Sequence, residues 1–219
     1  MPVNEMFDNV FILDGKLATL NLATGRKVYD EELVSDGGRE YRLWNPYRSK
    51  LAAAIIKRMK TMAIRKGSKV LYLGAATGTT SSHVSDIVGS KGLVYCVEMS
   101  ERSMRELLKV CEVRANMLPI FKDAREVDAY AEDVGTVDVL YMDVSARDQA
   151  EILLRNVQLL KKKGYAYVAI KSQSITLSKR PAQVYNEFLE KAKPVFNVLE
   201  RIDISPFDKD HLFVVLQKH

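Results

Sequence analysis

Two rhythms of apolar and polar positions divide the chain. Over the first fifty residues the apolar runs are short, as in VFILDGKLATLNL and RKVYDEELV, and Asp14-Gly15 stands inside the first as a two-residue hairpin turn. These runs predict a small antiparallel β unit over residues 1–48. From Ser49 the period lengthens, and segments of helical spacing alternate with short apolar runs. The pattern predicts helices over Ser49–Met62, Thr80–Val88, Ser100–Arg114 and Asp148–Leu160, and strands over Lys69–Leu73, Leu93–Val97, Leu118–Phe121, Val137–Met142 and Tyr165–Ile170.

Repeated strand-helix units require a parallel sheet with helices on both faces, because each return crossover must run over the sheet. The last third breaks the rhythm. After a helix over Ala182–Ala192, the runs PVFNVLERIDI and HLFVVLQK flank SPFDKD and predict an antiparallel pair that finishes the sheet. Residues 49–219 therefore read as one α/β domain with a seven-stranded, mostly parallel sheet whose last strand is antiparallel.

Composition changes this picture little. A chain of 219 residues with 47% hydrophobic content supports one core of ordinary size. No run approaches the ~18 apolar residues of a membrane span, and the opening MPVNEMFDNVFILDG lacks the basic-then-apolar order of a secretory signal. A cytoplasmic location and no membrane contact are expected. Cys96 and Cys111 lie in a strand-like and a helix-like run, without the clustered spacing of a metal site, so reduced structural thiols and no bound metal are expected.

The net charge of +5 favours anionic partners, and its distribution is uneven. Lys57, Arg58, Lys60, Arg65, Lys66 and Lys69 are interrupted by no acid, which suits either a solvated face or contact with a polyanion. Lys161, Lys162 and Lys163 follow the helix ending at Leu160, where lysines complement the helix dipole.

The chemistry gathers at the carboxyl ends of the predicted parallel strands, where ligands of doubly wound sheets sit. The first strand runs into Gly74-Ala75-Ala76-Thr77-Gly78-Thr79-Thr80. Small residues there let backbone approach a ligand, and the hydroxyls of Thr79 and Thr80 can cap the next helix. Alanine and threonine replace the second and third glycines of a G-x-G-x-x-G loop, which weakens a diphosphate reading. The second strand ends at Glu98, twenty residues after Gly78, placed to accept two hydrogen bonds from a ribose diol. To that point NAD and adenosylmethionine fit equally. The third strand ends at Asp123 and the fourth at Asp143, and three successive carboxylates suit a ribose, an amino group and a cationic end better than phosphates. Lys171 ends the fifth strand with Asp143 as its obvious partner. Among His83, His211 and His219, composition does not choose.

The segments VLYLGAATGTTSSHVSDIVG, GLVYCVEMSERS, PIFKDAR, VDVLYMDVSARDQA, YVAIKSQSI and DKDHLFVV, preceded by WNPYRSKLAAAI, resemble the successive motifs of the fibrillarin family of box C/D ribonucleoproteins. The match covers essentially the whole chain, and the lack of a Gly/Arg-rich amino-terminal extension resembles the short archaeal form. The resemblance implies a Rossmann-like methyltransferase fold and S-adenosyl-L-methionine as methyl donor for the ribose 2′-oxygens of rRNA and tRNA. It implies a catalytic set of Lys50, Asp143, Lys171 and His211, and so selects His211 from the three histidines. Donor binding falls on Gly74 to Thr80, Glu98, Met99, Asp123, Ala124, Asp143 and Gln149, and RNA binding on Lys57, Arg58, Lys60, Arg65, Lys66 and Arg147. The implied partners are a box C/D guide RNA paired with its target, a Nop-family coiled-coil scaffold and a kink-turn-binding ribosomal-type protein, with the amino-terminal unit or a nearby surface as a docking face. Departures are Thr77 for the usual serine, Met99 for a common aromatic, and Ser145-Ala146-Arg147 for the frequent Ala-Gln-Pro. A noncatalytic ribonucleoprotein scaffold and an NAD(P)-dependent oxidoreductase stand as the alternatives.

Overall fold

A computed structural model describes residues 3–219. The amino-terminal strands β1 (Val3–Phe7), β2 (Val10–Leu13), β3 (Lys16–Leu20), β4 (Leu33–Asp36) and β5 (Arg39–Leu43) form an antiparallel sheet in the order β1-β2-β3-β5-β4. Asp14 and Gly15 both take positive φ, 46° and 78°, with Leu13 paired to Lys16, so the hairpin turns where the sequence placed it. The expected β run RKVYDEELV is mostly a loop, with only Leu33 and Val34 in a strand. Glu31 folds that loop back on itself by accepting the N–H groups of Val28 and Tyr29, each at 2.8 Å.

The remainder comprises α1 (Lys50–Ile56), β6 (Lys69–Leu73), α2 (Thr79–Val88), β7 (Leu93–Glu98), α3 (Glu101–Glu112), β8 (Met117–Phe121), α4 (Ala131–Val134), β9 (Val137–Met142), α5 (Gln149–Asn156), β10 (Leu160–Lys171), α6 (Ser172–Ile175), α7 (Pro181–Ala192), β11 (Phe196–Asp203) and β12 (His211–Lys218). Its sheet has the order β11-β12-β10-β9-β6-β7-β8, with β12 antiparallel to both of its neighbours. The order reverses between β6 and β9, so a crevice opens at their carboxyl ends.

Two predicted boundaries move, each for a tertiary reason. The helix expected to reach Met62 stops at Ile56, and Arg58 turns left-handed at φ 68°. Beyond it the Glu200 carboxylate takes the N–H groups of Lys60 (2.9 Å) and Thr61 (2.7 Å), and the Tyr167 hydroxyl takes that of Ala63 (2.6 Å). The helix expected to reach Leu160 is α-helical to Asn156, whose buried amide donates to the Ala124 and Ile152 carbonyls, and tightens into one 3₁₀ turn over Val157–Leu159. The three lysines lie at the start of β10, just past the helical end as expected. A bulge separates them from the regular ladder, and a Cβ at Gly164 would come within 2.7 Å of Leu160.

The sheet buries a core on each face, and the amino-terminal unit contributes to one of them: Val10, Leu17 and Trp44 share a cluster with Ala52, Val84, Tyr72 and Phe213. A buried polar seam reinforces this junction. Arg42, wholly buried, contacts Glu31 at 2.7 Å, Asp86 at 2.8 Å and the Ser82 hydroxyl at 3.0 Å, while Arg114 reaches Asp86 from the other side at 2.6 Å. His83 lies against it, stacked on Trp44 with ring centroids 4.7 Å apart. The Thr19 hydroxyl donates to Asp86, so it receives the His83 Nδ1 proton, and His83 Nε2 accepts from the Tyr29 hydroxyl at 2.8 Å. Burial and the two arginines hold His83 well below the usual histidine pKa, and it is a neutral structural group. No helix among the described residues is long and apolar enough to cross a membrane.

Candidate active site

Gly74 begins the crevice. It adopts φ +80°, and an added Cβ would stand 2.9 Å from the Asp143 carbonyl oxygen, so both conformation and space require glycine between β6 and β9. Ala76 also turns to positive φ (49°), which points its N–H at Glu98 Oε2 at 2.8 Å. Glu98 Oε1 accepts the Ser100 N–H at 2.7 Å. Each carboxylate oxygen thus retains a lone pair for a ligand, and the side chain is immobilised at the tip of β7.

A cavity of about 310 Å³ lies outside these tips. Gly74, Ala76, Glu98, Met99, Asp123, Ala124, Asp143 and Lys171 line it, joined by Val97, Ser103, Lys122, Arg125, Val144, Ser145, Ala146 and Ile152. The other loop residues lie outside this lining. Ala75 is buried, Gly78 packs against Leu107 and Val110, the Thr80 hydroxyl donates to Ser49 Oγ at 3.0 Å, and Thr77 and Thr79 begin the turn into α2 outside the cavity lining. Gln149 is also outside it: its amide donates to the Val144 carbonyl at 2.5 Å and accepts the Lys171 N–H at 3.2 Å, bracing the β9 loop against β10. Asp123 faces the cavity but is clasped by Arg125, which bridges it at 3.0 Å to Asp148 at 2.7 Å.

At the mouth of the cavity the four residues of the expected catalytic set converge. Asp143 stands between two lysines: Lys50 Nζ is 3.2 Å from its Oδ2 and Lys171 Nζ 2.8 Å from its Oδ1. Lys171 aims its hydrogen bonds at the Asp143 carbonyl (2.9 Å) and the Ser145 hydroxyl (3.0 Å), and the contact with Oδ1 is an ion pair without hydrogen-bond alignment. Oδ1 is buried against that ammonium. Burial alone would lower the pKa of Lys50, but the carboxylates of Asp143 and Asp208 outweigh it and hold the pKa above its ordinary value. His211 is the cross-strand partner of Lys171 in the β10–β12 ladder, which places both side chains on one face.

Asp208 completes the cluster, and nothing in the sequence singled it out. Its carboxylate lies 3.4 Å from Lys50 Nζ and 2.6 Å from His211 Nδ1. The available signal was its place in SPFDKDH, three residues before the histidine. Arg125 and Ser145 were likewise invisible as ligand-edge groups, because Asp148 fixes the one and Lys171 the other across more than twenty residues of chain.

The basic residues divide. Arg147 lies in the loop after β9 and lines a small pocket with Glu151, Glu187 and Lys191, while Lys57, Arg58 and Lys60 border a groove along edge strand β11. Arg65 and Lys66 lie with Lys161 and Tyr165 near the amino ends of β6 and β10, the edge opposite Lys171.

This geometry has close counterparts. The Fibrillarin family model matches residues 2–219. The chain belongs to the fibrillarin family. Among fibrillarin relatives, the fibrillarin-like rRNA/tRNA 2′-O-methyltransferase of Methanocaldococcus jannaschii is 46% identical, over 98% of this chain and 96% of that protein. The crystal structure of Aeropyrum pernix fibrillarin with natively bound S-adenosyl-L-methionine is 39% identical, with a TM-score of 0.91 over 99% of this chain and 98% of its own. The fibrillarin subunit of a fibrillarin/Nop5p complex is 35% identical, with a TM-score of 0.90 over 99% of this chain and 100% of its own.

Proposed function

We propose that this chain is the catalytic subunit of a box C/D ribonucleoprotein, transferring methyl groups from S-adenosyl-L-methionine to guide-selected ribose 2′-hydroxyls of rRNA and tRNA. The observation that carries the reading is the convergence of Lys50, Asp143, Lys171 and His211 at the mouth of a cavity ringed by carboxylates.

The residues present fit the donor. Glu98 offers lone pairs to a ribose diol, Asp123 an acceptor for an adenine amino group, and Met99, Ala124 and Ile152 apolar surface for the ring. The carboxylates of Glu98, Asp123 and Asp143 in the lining favour a cation or a hydroxyl donor over a phosphate. When bound, S-adenosyl-L-methionine supplies an electrophilic methyl group on a sulfonium sulfur. A ribose hydroxyl is a weak nucleophile at neutral pH, so the protein must align it and remove its proton. Lys50, held charged between two carboxylates, contributes a fixed positive potential where alkoxide charge develops. Lys171, oriented by the Asp143 carbonyl and by Ser145, is the proton acceptor once its ammonium has released a proton to solvent, and the amine then takes up the hydroxyl proton as the methyl group moves from sulfur to oxygen. His211, beside it, positions the ribose.

Target choice lies with the guide RNA, since the chain has no stacking motif for reading bases. Lys57, Arg58, Lys60 and Arg147 hold RNA backbone near the reacting ribose. Arg65 and Lys66, a strand length away, meet a remote part of the RNA. Residues 1–48 serve as the docking unit for a Nop-family coiled-coil scaffold and residues 49–219 as the catalytic domain. A kink-turn-binding ribosomal-type protein joins through the RNA, and the particle works in the cytoplasm.

Reconstitution with guide RNA, target, scaffold, kink-turn protein and labelled S-adenosyl-L-methionine tests this. Transfer to the 2′-oxygen opposite the guide is expected, with Lys171→Ala binding donor normally and transferring about 100-fold or more slowly. An undiminished rate in that variant removes Lys171 as proton acceptor. An assembled wild-type particle without transfer makes the chain a scaffold, and binding of NAD in place of the methyl donor makes it an oxidoreductase.

A further inference from the structure

The geometry points to Asp208 as a positioning residue of the transfer site, its carboxylate bridging Lys50 and His211 and thereby setting which imidazole nitrogen His211 presents to the substrate ribose. This rests on the methyltransferase reading and adds a fifth member to its polar cluster.

Three contacts support it. Asp208 Oδ1 lies 2.6 Å from His211 Nδ1, and the Lys209 carbonyl lies 2.8 Å from the same nitrogen. The Lys209 carbonyl takes the Nδ1 proton in a hydrogen bond and the Asp208 carboxylate adds a negative charge beside the same nitrogen, so both favour the proton there, and in the neutral ring Nε2 is then left with its lone pair. The third contact, Asp208 Oδ2 to Lys50 Nζ at 3.4 Å, ties the same carboxylate to the lysine that pairs with Asp143. The cluster is thus a continuous chain in which carboxylates alternate with basic groups: Lys171, Asp143, Lys50, Asp208, His211. The β10–β12 pairing brings its two ends, Lys171 and His211, side by side.

The alternation has a physical consequence. Three basic groups gathered at one cavity mouth repel one another, and the carboxylate of Asp143 faces only the two lysines. Without Asp208, His211 keeps the Lys209 carbonyl acceptor but loses the charged partner that favours the proton on Nδ1, so the Nε2–H tautomer gains population. The loop bearing Asp208 is anchored independently, since Phe207 packs edge-on against Tyr47 with centroids 5.0 Å apart. Replacing the carboxylate therefore leaves the loop in place.

The test has a spectroscopic arm and a kinetic arm. In the intact chain, ¹⁵N imidazole shifts of His211 are expected to report an Nδ1–H ring in wild type and in Asp208→Glu, and a mixed population in Asp208→Ala. In the reconstituted particle, the single-turnover methyl-transfer rate of Asp208→Ala is expected to fall about 10-fold or more with donor affinity unchanged, and Asp208→Glu to recover much of it. In a His211→Ala background the same change is expected to cost less than about twofold, because the positioned group is already gone. An unaltered ring in Asp208→Ala, a rate within twofold of wild type, or a loss as large without His211 as with it each overturns the assignment. Absence of transfer by the wild-type particle instead refutes the methyltransferase reading, while the ring spectrum still decides whether Asp208 orients His211.

Discussion

Replacing Arg42 by methionine tests whether the amino-terminal sheet is held to the catalytic domain by charge as well as by core packing. The guanidinium is fully buried and contacts Glu31, Asp86 and Ser82. After its removal Asp86 keeps Arg114 at 2.6 Å, whereas Glu31 keeps only the N–H groups of Val28 and Tyr29. One buried carboxylate is stranded, and breaking such a pair costs about 3–5 kcal/mol. For a domain of this size that corresponds to a fall in Tm of roughly 6–20 °C. In the wild type, burial pushes the Glu31 pKa up, but Arg42 and the two backbone N–H groups outweigh it and hold it below the usual range. Its contribution is therefore complete above the ordinary glutamate pKa and is lost as pH falls through the lower native value. In the variant burial acts with its main opponent gone, so the native pKa lies above the unfolded one and the penalty is largest at neutral pH. The gap between the two proteins should narrow as pH falls from about 7 to about 4. Urea denaturation followed by circular dichroism across that range measures it. A gap below about 1 kcal/mol at pH 7, or one unchanged with pH, refutes the reasoning.

Gly74→Ala should lower stability by about 1–3 kcal/mol and weaken donor binding, because its Cβ must displace the carbonyl that also orients Lys171. Calorimetric titration with S-adenosyl-L-methionine and urea denaturation check both effects, and wild-type values in each would show that the crevice has slack. The thiols should be inert in the folded chain: burial pushes Cys111 up to about 11 and Cys96 higher still. At pH 8 roughly a thousandth of Cys111 is thiolate, so iodoacetamide should label it far more slowly than in urea, as intact mass will show. Rapid native labelling would contradict the burial.

The candidate site was legible in proportion to how locally its chemistry is encoded. Gly74, Glu98, Asp123, Asp143 and Lys171 each end a strand whose apolar run is visible in sequence, so their common edge followed from the α/β rhythm alone. Lys50 and His211 carry no such mark, since one begins a helix and the other begins the antiparallel strand. Resemblance to a family located them, and pairing to β9 and β10 brings them to the same place. Asp208 stayed hidden because its partners are His211 and a lysine 158 residues away, 208 less 50. Gln149 and Thr80 have the chemistry to touch a ligand, but their polar groups are taken up by the Val144 carbonyl, the Lys171 N–H and the Ser49 hydroxyl.

The sequence by itself determined the succession of elements, the parallel sheet and the strand tips at which ligand chemistry collects, because periodicity and turn chemistry act over a few residues. Tertiary structure decided where helices stop, which charges are silent and which groups meet. Glu200 ends the reach of α1, Arg42 and Asp86 neutralise each other inside the molecule, and Lys50, Asp143, Asp208 and His211 touch. Each of these depends on contacts between residues far apart along the chain, whose energies are set by burial and by distances of about 3 Å, and a linear pattern contains neither.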